Sequence, residues 1–211
     1  MTGRFISFEG NEGSGKSTQI KILADCLAAL GRSVITLREP GGTPIGEEIR
    51  QLLKHSAANV GMTAETELLL MNASRAQLVR QIIRPALVSG AIVLCDRFHD
   101  STTVYQGTGR GLDPAQVKNV IDLAVGDTRP ELTLFLEVPL EVSEERRRHR
   151  SGAKPERDRF EEADRAFFER IHAGYEALAK AEAGRIRRID ATRPVDEVSA
   201  EIWSHVAPLV S

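Results

Sequence analysis

The sequence has few cysteines, no long apolar run and no leader pattern. Its two cysteines, Cys26 and Cys95, each lie inside an apolar segment. We therefore expect two reduced core thiols rather than a disulfide or a metal-binding pair. No apolar run approaches the roughly 20 residues of a membrane span, and the first residues lack a basic and apolar signal. These absences argue against a secreted or membrane protein and predict a cytoplasmic one.

The formal charge is too small to indicate a nucleic-acid-binding protein. It is −2 at pH 7, so no positive field surrounds the chain as a whole. The length of 211 residues suits one well-buried domain, and we expect a single domain over residues 1–211. Charge is unevenly distributed, however. Residues 145–159 hold seven basic and three acidic side chains, a net charge of +4.

A glycine-rich segment near the N-terminus has the spacing of a phosphate-binding loop. Gly10, Gly15, Lys16 and Ser17 match the pattern G-x-x-x-x-G-K-[ST]. A short apolar run precedes it and apolar residues at helical spacing follow it, which is the strand and helix that such a loop connects. Glycines let successive N–H groups curl around an anion, Lys16 adds a positive charge, and the Ser17 hydroxyl can join the shell of a magnesium ion. We call residues 10–18 the phosphate loop.

Short apolar strands alternate with helical segments along the chain. Five segments have the character of strands, at residues 5–8, 33–37, 91–96, 132–138 and 185–189. Among the helices between them is a long one that Thr63 opens and Pro85 interrupts. This alternation predicts a three-layer α/β fold with a five-stranded parallel sheet.

Charged side chains follow the predicted strands. Asp96 ends a continuously apolar run, which is typical of a carboxylate that holds magnesium directly or through water. Arg97 follows it, Arg38 follows the second strand, and Arg75 lies on the long helix. Because ligands bind at the carboxyl ends of parallel strands, we expect these arginines to face one cleft and to bind a second phosphorylated ligand. The alternative for each is a surface arginine paired with a nearby acid.

The basic segment from Arg146 to Arg150, followed by Gly152 and Pro155, has the composition of a mobile cover. Such a cover can close over a triphosphate and bring an arginine to the transferring group. The alternative is a solvated helix end, where cations are favoured. The concentration of charge favours a lid at about residues 146–159.

Four motifs together resemble bacterial thymidylate kinases. They are residues 8–18, the R-E-P-G-G-T segment 38–43, the D-R-F-x-x-S-x-x-x-Y-Q-G segment 96–107 and the R-P-x-L-T segment 129–133. The likeness covers essentially the whole chain. It implies a P-loop NTPase fold of the nucleoside monophosphate kinase type, a homodimer, and the reaction of ATP with dTMP to give ADP and dTDP with Mg²⁺.

The resemblance also implies roles for individual residues. Arg75 would donate to thymine O4 with Thr102 near N3, and Tyr105 would pack where a ribose 2′-hydroxyl would lie. Ser17 and Asp96 would hold the metal. The expected ATP-binding residues are Gly10, Asn11, Glu12, Gly13, Ser14, Gly15, Lys16, Ser17, Thr18, Arg146 and Arg148. The expected dTMP-binding residues are Glu12, Arg38, Met71, Arg75, Arg97, Ser101, Thr102, Tyr105 and Gln106.

Relatives carry the catalytic arginine either in the phosphate loop or in the lid. The loop position between the last two glycines is Ser14 here, so the resemblance assigns this role to the lid, at Arg150. The expected catalytic residues are therefore Lys16, Asp96, Arg97 and Arg150. In a departure from the family, Met71 stands where a phenylalanine usually stacks on thymine. Its position one turn before Arg75 allows a sulfur–ring contact, and the alternative is that Met71 only fills the core.

Three other functions share part of this pattern. A kinase for another nucleoside monophosphate or for a nucleoside shares the loop and lid, although a nucleoside kinase has less use for Arg38 and Arg97. A regulatory nucleotide switch should carry the guanine-reading Asn-Lys-x-Asp motif, which the sequence lacks. A non-catalytic nucleotide-binding protein would need neither the Asp96–Arg97 pair nor a basic lid.

Overall fold

The computed structural model describes residues 3–151 and 165–210, without the side chains of residues 58, 147, 148, 150 and 151. Five strands in these ranges form one parallel sheet in the order β2-β3-β1-β4-β5. The strands are β1 (Arg4–Glu9), β2 (Val34–Arg38), β3 (Ile92–Asp96), β4 (Leu132–Glu137) and β5 (Ile186–Asp190). The predicted three-layer α/β architecture with a five-stranded parallel sheet is confirmed.

Helices connect the strands and cover both faces of the sheet. They are α1 (Lys16–Ala29), α2 (Pro44–Lys54), α3 (Ala64–Leu78), α4 (Arg84–Val88), α5 (His99–Thr102), α6 (Pro114–Val125), α7 (Leu140–Ser151), α8 (Arg165–Ala181) and α9 (Val195–Val210). A 3₁₀ turn, Ala57–Gly61, precedes α3. None of the described helices combines the length and the apolar character needed to cross a membrane.

The three central strands, β1, β3 and β4, are buried on both faces, which explains their apolar sequences. The edge strands β2 and β5 are partly exposed. On β1, Ile6 and Phe8 pack into a core that α1 and α9 cover. Phe5, which points to the other face, belongs to the core beneath α3 and α6. A third cluster packs α8 against Phe135 of β4. The apolar interior thus leaves the carboxyl ends of the strands as the place where polar side chains collect.

The long helix begins and breaks close to where the sequence predicts. The Thr63 hydroxyl accepts a hydrogen bond from the N–H of Thr66 at 3.3 Å and so caps α3. A π-helical turn, Val79–Ile83, separates α3 from α4 just before Pro85. Proline has no N–H and its ring crowds the carbonyl one turn earlier, so a widened turn relieves the conflict.

One detail differs from the sequence predictions. Cys95 is buried as expected, but the prediction of a core position for Cys26 is wrong, because this free thiol is exposed. The buried face of α1 runs through Ile20, Leu23 and Leu27, and Cys26 lies beside it. After Arg97, the short helix α5 is followed by a π-helical turn, Thr103–Gly109.

Candidate active site

The phosphate loop connects β1 to α1 and packs closely against neighbouring backbone. A β-carbon at Gly10 would lie 2.4 Å from the carbonyl oxygen of Leu136, and one at Gly13 would lie 2.6 Å from that of Ser143. Both glycines have positive φ angles, 132° and 81°. Contacts this short exclude side chains. The loop is therefore held against the end of β4 and against α7 by surfaces that only glycine fits.

Helix α7 is anchored at two points near the loop. The Ser143 hydroxyl donates to the carbonyl oxygen of Glu12 at 2.6 Å. One turn later, Nη1 of Arg146 donates to the carbonyl oxygen of Ala191 at 2.9 Å, just beyond β5. The helix that leads into the predicted lid is thus bonded both to the phosphate loop and to the neighbouring strand end.

Lys16 is buried at the start of α1. Its Nζ donates to the carbonyl oxygens of Gly10 and Asn11, both at 3.0 Å, and lies 3.9 Å from Oδ1 of Asp96. Burial, with the positive charge of Arg97, lowers the pKa of Lys16 to about 8, while Asp96 opposes that shift. The ammonium group is therefore buried close to a second cation, Arg97, and an anion that enters the pocket would stabilise its charge.

The two predicted metal ligands lie side by side. The Ser17 hydroxyl donates to Oδ2 of Asp96 at 3.3 Å. A hydroxyl and a carboxylate are hard oxygen donors. Magnesium commonly takes only one or two protein ligands and completes its shell with water and phosphate oxygens. The residues present therefore fit a magnesium ion at this point.

A cleft of about 330 Å³ runs from the phosphate loop to the ends of β2 and β3. We call its far side, around Arg38 and Arg97, the acceptor end. The predicted residues that line the cleft are Glu12, Gly13, Gly15, Lys16, Ser17, Thr18, Arg38, Met71, Arg75, Asp96, Arg97, Ser101, Thr102, Tyr105 and Gln106. Gly10, Asn11, Ser14 and Arg146 are not among its lining residues. The side chains of Arg148 and Arg150, and residues 152–159 of the predicted lid, lie outside the described part of the chain.

Arg97 enters the cleft from a strained backbone position. Its φ angle is 68°, in the left-handed region, which costs a residue with a β-carbon roughly 1–2 kcal/mol. The N–H of Arg97 donates to the carbonyl oxygen of Phe8 at 2.9 Å, and Cys95 Sγ donates to the Arg97 carbonyl at 3.1 Å. These bonds hold the turn that redirects the chain from β3 into the cleft.

The guanidinium group of Arg97 is held by three hydroxyl-bearing side chains. Its Nη1 donates to Ser101 Oγ at 3.1 Å and to the Tyr175 hydroxyl at 3.3 Å. Its plane lies over the Tyr105 ring, 5.0 Å from the ring centre. Although burial opposes the charged form, the two tyrosines and Glu9 keep the pKa of Arg97 above its usual value. Arg97 therefore stays cationic in the cleft wall.

Glu9, at the end of β1, lies directly behind these hydroxyls. Its Oε1 accepts from the N–H of Phe98 at 2.8 Å. Its Oε2 accepts from Ser101 Oγ at 2.6 Å and from the Tyr175 hydroxyl at 2.8 Å. Burial, followed by the negative charge of Asp100, raises the pKa of Glu9 to about 7, while Arg97 opposes that rise. Burial and Glu9 also raise the pKa of Tyr175, so this phenol keeps its proton.

Arg75 is almost completely buried, and its guanidinium group donates four hydrogen bonds to protein acceptors. Nε donates to Glu39 Oε2 at 2.8 Å, and Nη2 lies 2.6 Å from the same oxygen. The other acceptors are Asn72 Oδ1, Thr102 Oγ1 and the Phe98 carbonyl oxygen. Thr102, like Arg75, lines the cleft. Half-buried Met71 lines the cleft one turn before Arg75.

Arg38 lies at the mouth of the cleft, half exposed. Its Nη2 donates to Glu47 Oε2 at 2.9 Å, and Nη1 donates to the Pro40 carbonyl at 3.2 Å. Two further cations on α2, Arg50 and Lys54, line the same cleft. The sequence analysis missed both, although their i, i+4 spacing after the R-E-P-G-G-T segment places them on one helix face.

The sequence analysis also missed Glu9, Glu39 and Tyr175. Glu39 is a buried carboxylate whose charge balances Arg75, and burial raises its pKa. Glu9 lies within the motif at residues 8–18 and Glu39 within the R-E-P-G-G-T segment, so membership of these motifs was a usable signal for both. Tyr175 is 78 residues from Arg97, and no local pattern connects the two.

Comparisons with known proteins point to one family. The family model described as thymidylate kinase matches residues 8–202. The thymidylate kinase of Syntrophotalea carbinolica is 51% identical over 201 residues, covering 94% of this chain and 93% of its own. That of Alcanivorax borkumensis is 47% identical over 202 residues, covering 96% and 95%. The crystal structure of the Ehrlichia chaffeensis thymidylate kinase superposes with a TM-score of 0.78 at 32% identity, covering 98% and 99%.

We expect Gly13→Ala to weaken nucleotide binding far more than it weakens the fold. An added methyl group would strike the Ser143 carbonyl and displace the loop, so the Kd for magnesium–ATP should rise at least about tenfold. Gly31→Ala is the matched control. Gly31 also has a positive φ, 73°, but nothing lies within 4 Å of the point that an added β-carbon would occupy. Calorimetric titration of both variants that showed equal losses of affinity would contradict the close packing described for the loop.

The raised pKa of Glu9 predicts a pH-dependent difference between the protein and its Glu9→Gln variant. Between pH 5 and about pH 7 the unfolded chain ionises Glu9 while the folded protein keeps it protonated, so the folded protein loses stability as the pH rises. Glutamine does not titrate. The unfolding free energy of Glu9→Gln minus that of the parent should therefore increase over this range, by at most about 1.4 kcal/mol per pH unit. Urea unfolding at several pH values measures this difference in unfolding free energy. A difference that does not change with pH would contradict the raised pKa of Glu9.

Proposed function

Because this chain belongs to the thymidylate kinase family, we propose that it phosphorylates dTMP to dTDP with ATP as the phosphoryl donor and Mg²⁺ as the cofactor. The observation that carries the proposal is that the phosphate loop and Arg97 open into the same cleft. One side offers main-chain amides and Lys16 to a triphosphate. The other offers guanidinium groups to a monophosphate.

At the donor end we assign the ATP phosphates to the phosphate loop and Lys16. Magnesium, held by Ser17 and Asp96, supplies charge neutralisation on the phosphates when bound. The buried position of Lys16 suits it to the outer phosphates, because its charge is stabilised by an anion in a pocket that already contains Arg97. We assign Arg146 and Arg148 to the nucleotide side of the lid.

At the acceptor end we assign the dTMP phosphate to Arg97 and Arg38. We assign the sugar 3′-hydroxyl to Glu12 and the packing of the sugar to Tyr105, which both line the cleft. The base occupies the wall that Met71 and Arg75 form. The remaining residues that we assign to dTMP are Ser101, Thr102 and Gln106.

Phosphoryl transfer needs two anions held in line, their charge neutralised and water excluded. The residues that line the cleft suit the first two conditions, the binding of two anions and the neutralisation of their charge. We propose that the lid, at about residues 146–159, provides the third and contributes Arg150 to the transferring group. We further propose a single cytoplasmic domain over residues 1–211 that acts as a homodimer, as the family resemblance implies.

We expect the purified protein to convert dTMP faster than any other monophosphate. A coupled assay with ATP, magnesium and one of dTMP, dUMP, dCMP, UMP, AMP or thymidine measures ADP formation for each acceptor. Thymidine, which lacks the phosphate, should give no turnover, because Arg38 and Arg97 then have nothing to bind. Equal rates across the monophosphates would contradict dTMP specificity, and turnover of thymidine alone would indicate a nucleoside kinase.

Arg150→Ala should lower kcat by roughly a thousandfold, because the phosphate loop carries no arginine to replace the lost charge. The KM for dTMP should change little, since Arg150 lies in the part of the chain assigned to the triphosphate. Arg147→Ala, which removes an equal charge from the same basic run, is the control and should leave kcat within about twofold. Full turnover by Arg150→Ala would place the catalytic charge elsewhere.

A further inference from the structure

The hydroxyl group of Tyr175 reaches the acceptor end from a distant helix. Tyr175 lies on α8, and its hydroxyl contacts Arg97 Nη1 at 3.3 Å, Ser101 Oγ at 3.0 Å and Glu9 Oε2 at 2.8 Å. The ring is 3% exposed. It stacks on Phe135, with centres 4.9 Å apart and planes 18° apart, and meets the Tyr105 ring edge-on at 6.4 Å. Apolar packing therefore fixes the ring independently of the hydroxyl.

The proton positions in this cluster follow from counting donors. When Glu9 is ionised it only accepts hydrogen bonds, so Ser101 and Tyr175 both give their single hydroxyl proton to its Oε2. The lone pairs of both hydroxyl oxygens then remain for Nη1 of Arg97, which donates to each of them. Glu9 is thus linked to the guanidinium group through two neutral hydroxyls. These hydroxyls fix the orientation of the guanidinium group without pairing it directly with the carboxylate.

This arrangement matters for an arginine that binds phosphate. A carboxylate paired directly with the guanidinium would compete with the phosphate for the same donors, whereas hydroxyls compete weakly. An unrestrained arginine would also lose side-chain entropy on binding, which an anchored one has already lost in the free protein. The Tyr105 ring holds the face of the Arg97 guanidinium, and the two hydroxyls hold its Nη1 edge.

We propose that Tyr175 and Glu9 are positioning residues that pre-orient Arg97 for the acceptor phosphate, with Ser101 as the second hydroxyl of the relay. The inference rests on the proposed binding of the dTMP phosphate by Arg97. It gives α8, a helix on which the sequence analysis predicted no site residue although its Phe168 lines the cleft, an effect on the affinity for phosphorylated acceptors. The effect acts through the phosphate and leaves recognition of sugar and base unchanged.

The test compares dTMP with thymidine as ligands for Tyr175→Phe, by calorimetric titration at about pH 8, where Glu9 is ionised. Phenylalanine keeps the ring contacts and removes only the hydroxyl. The Kd for dTMP should rise about tenfold, as expected for a hydrogen bond to a charged group, while that for thymidine should stay within about twofold. Equal weakening of both ligands, or no weakening of dTMP binding, would overturn the proposal.

Two further comparisons separate positioning from a general loss of stability. Ser7→Ala removes a comparably buried hydroxyl, which bonds Thr133 at 2.8 Å, and should leave dTMP binding unchanged. In an Arg97→Ala background, Tyr175→Phe should have no additional effect on dTMP affinity, because the residue that it positions is gone. Additive losses would instead indicate a separate role for the hydroxyl and overturn the proposal.

The experiment also distinguishes failure of the inference from failure of the proposed function. If Arg97→Ala binds dTMP as tightly as the parent does, then Arg97 does not hold the phosphate and the proposed site is wrong. If Tyr175→Phe does not fold, Glu9→Gln replaces it in the same titrations. Glutamine keeps the shape but not the charge, so it should also weaken dTMP binding selectively over thymidine. A loss that is equal for both ligands would contradict the relay.

Discussion

The hydrogen bond from the N–H of Arg97 to the carbonyl oxygen of Phe8, at 2.9 Å, joins the two halves of the site. Phe8 pairs with Asp96 in the register of β1 and β3, and each strand then turns outward. One turn becomes the phosphate loop and the other presents Arg97. This register therefore fixes where the two turns begin relative to each other.

Buried carboxylates make this crowding of arginines possible. Arg75, Arg97 and Lys16 line one cleft, and unpaired cations buried together would repel one another and lose their hydration. Glu39 pairs directly with Arg75, at 2.6 Å. Glu9 is linked to Arg97 through the hydroxyls of Ser101 and Tyr175. The two arginines thus differ in their partners: Arg75 bonds a buried carboxylate directly, whereas Arg97, which we propose binds the acceptor phosphate, bonds neutral hydroxyls.

The sequence predicted the parts of the site whose residues directly follow a recognisable strand. The phosphate loop, Asp96 and Arg97 follow strands whose apolar runs are visible in the sequence, and a parallel sheet necessarily collects strand ends at one edge. It did not predict Tyr175, because the contact between α8 and the end of β3 depends on the packing of the apolar cluster between α8 and Phe135. It also misplaced Cys26, since an apolar neighbourhood in the sequence does not specify which side of a helix faces solvent. The lid remains a prediction from composition, because residues 152–159 lie outside the described part of the chain.

The central claim is that one edge of the sheet holds two phosphate-bearing nucleotides, with Arg97 pre-oriented for the acceptor. A crystal structure of the protein with dTMP and a non-hydrolysable ATP analogue tests it most directly. The account predicts that the dTMP phosphate contacts Arg97 while Nη1 keeps its bonds to Ser101 and Tyr175, and that the triphosphate lies on the phosphate loop. An acceptor phosphate bound away from Arg97, or an Arg97 side chain that swings away from both hydroxyls to reach it, would contradict the account.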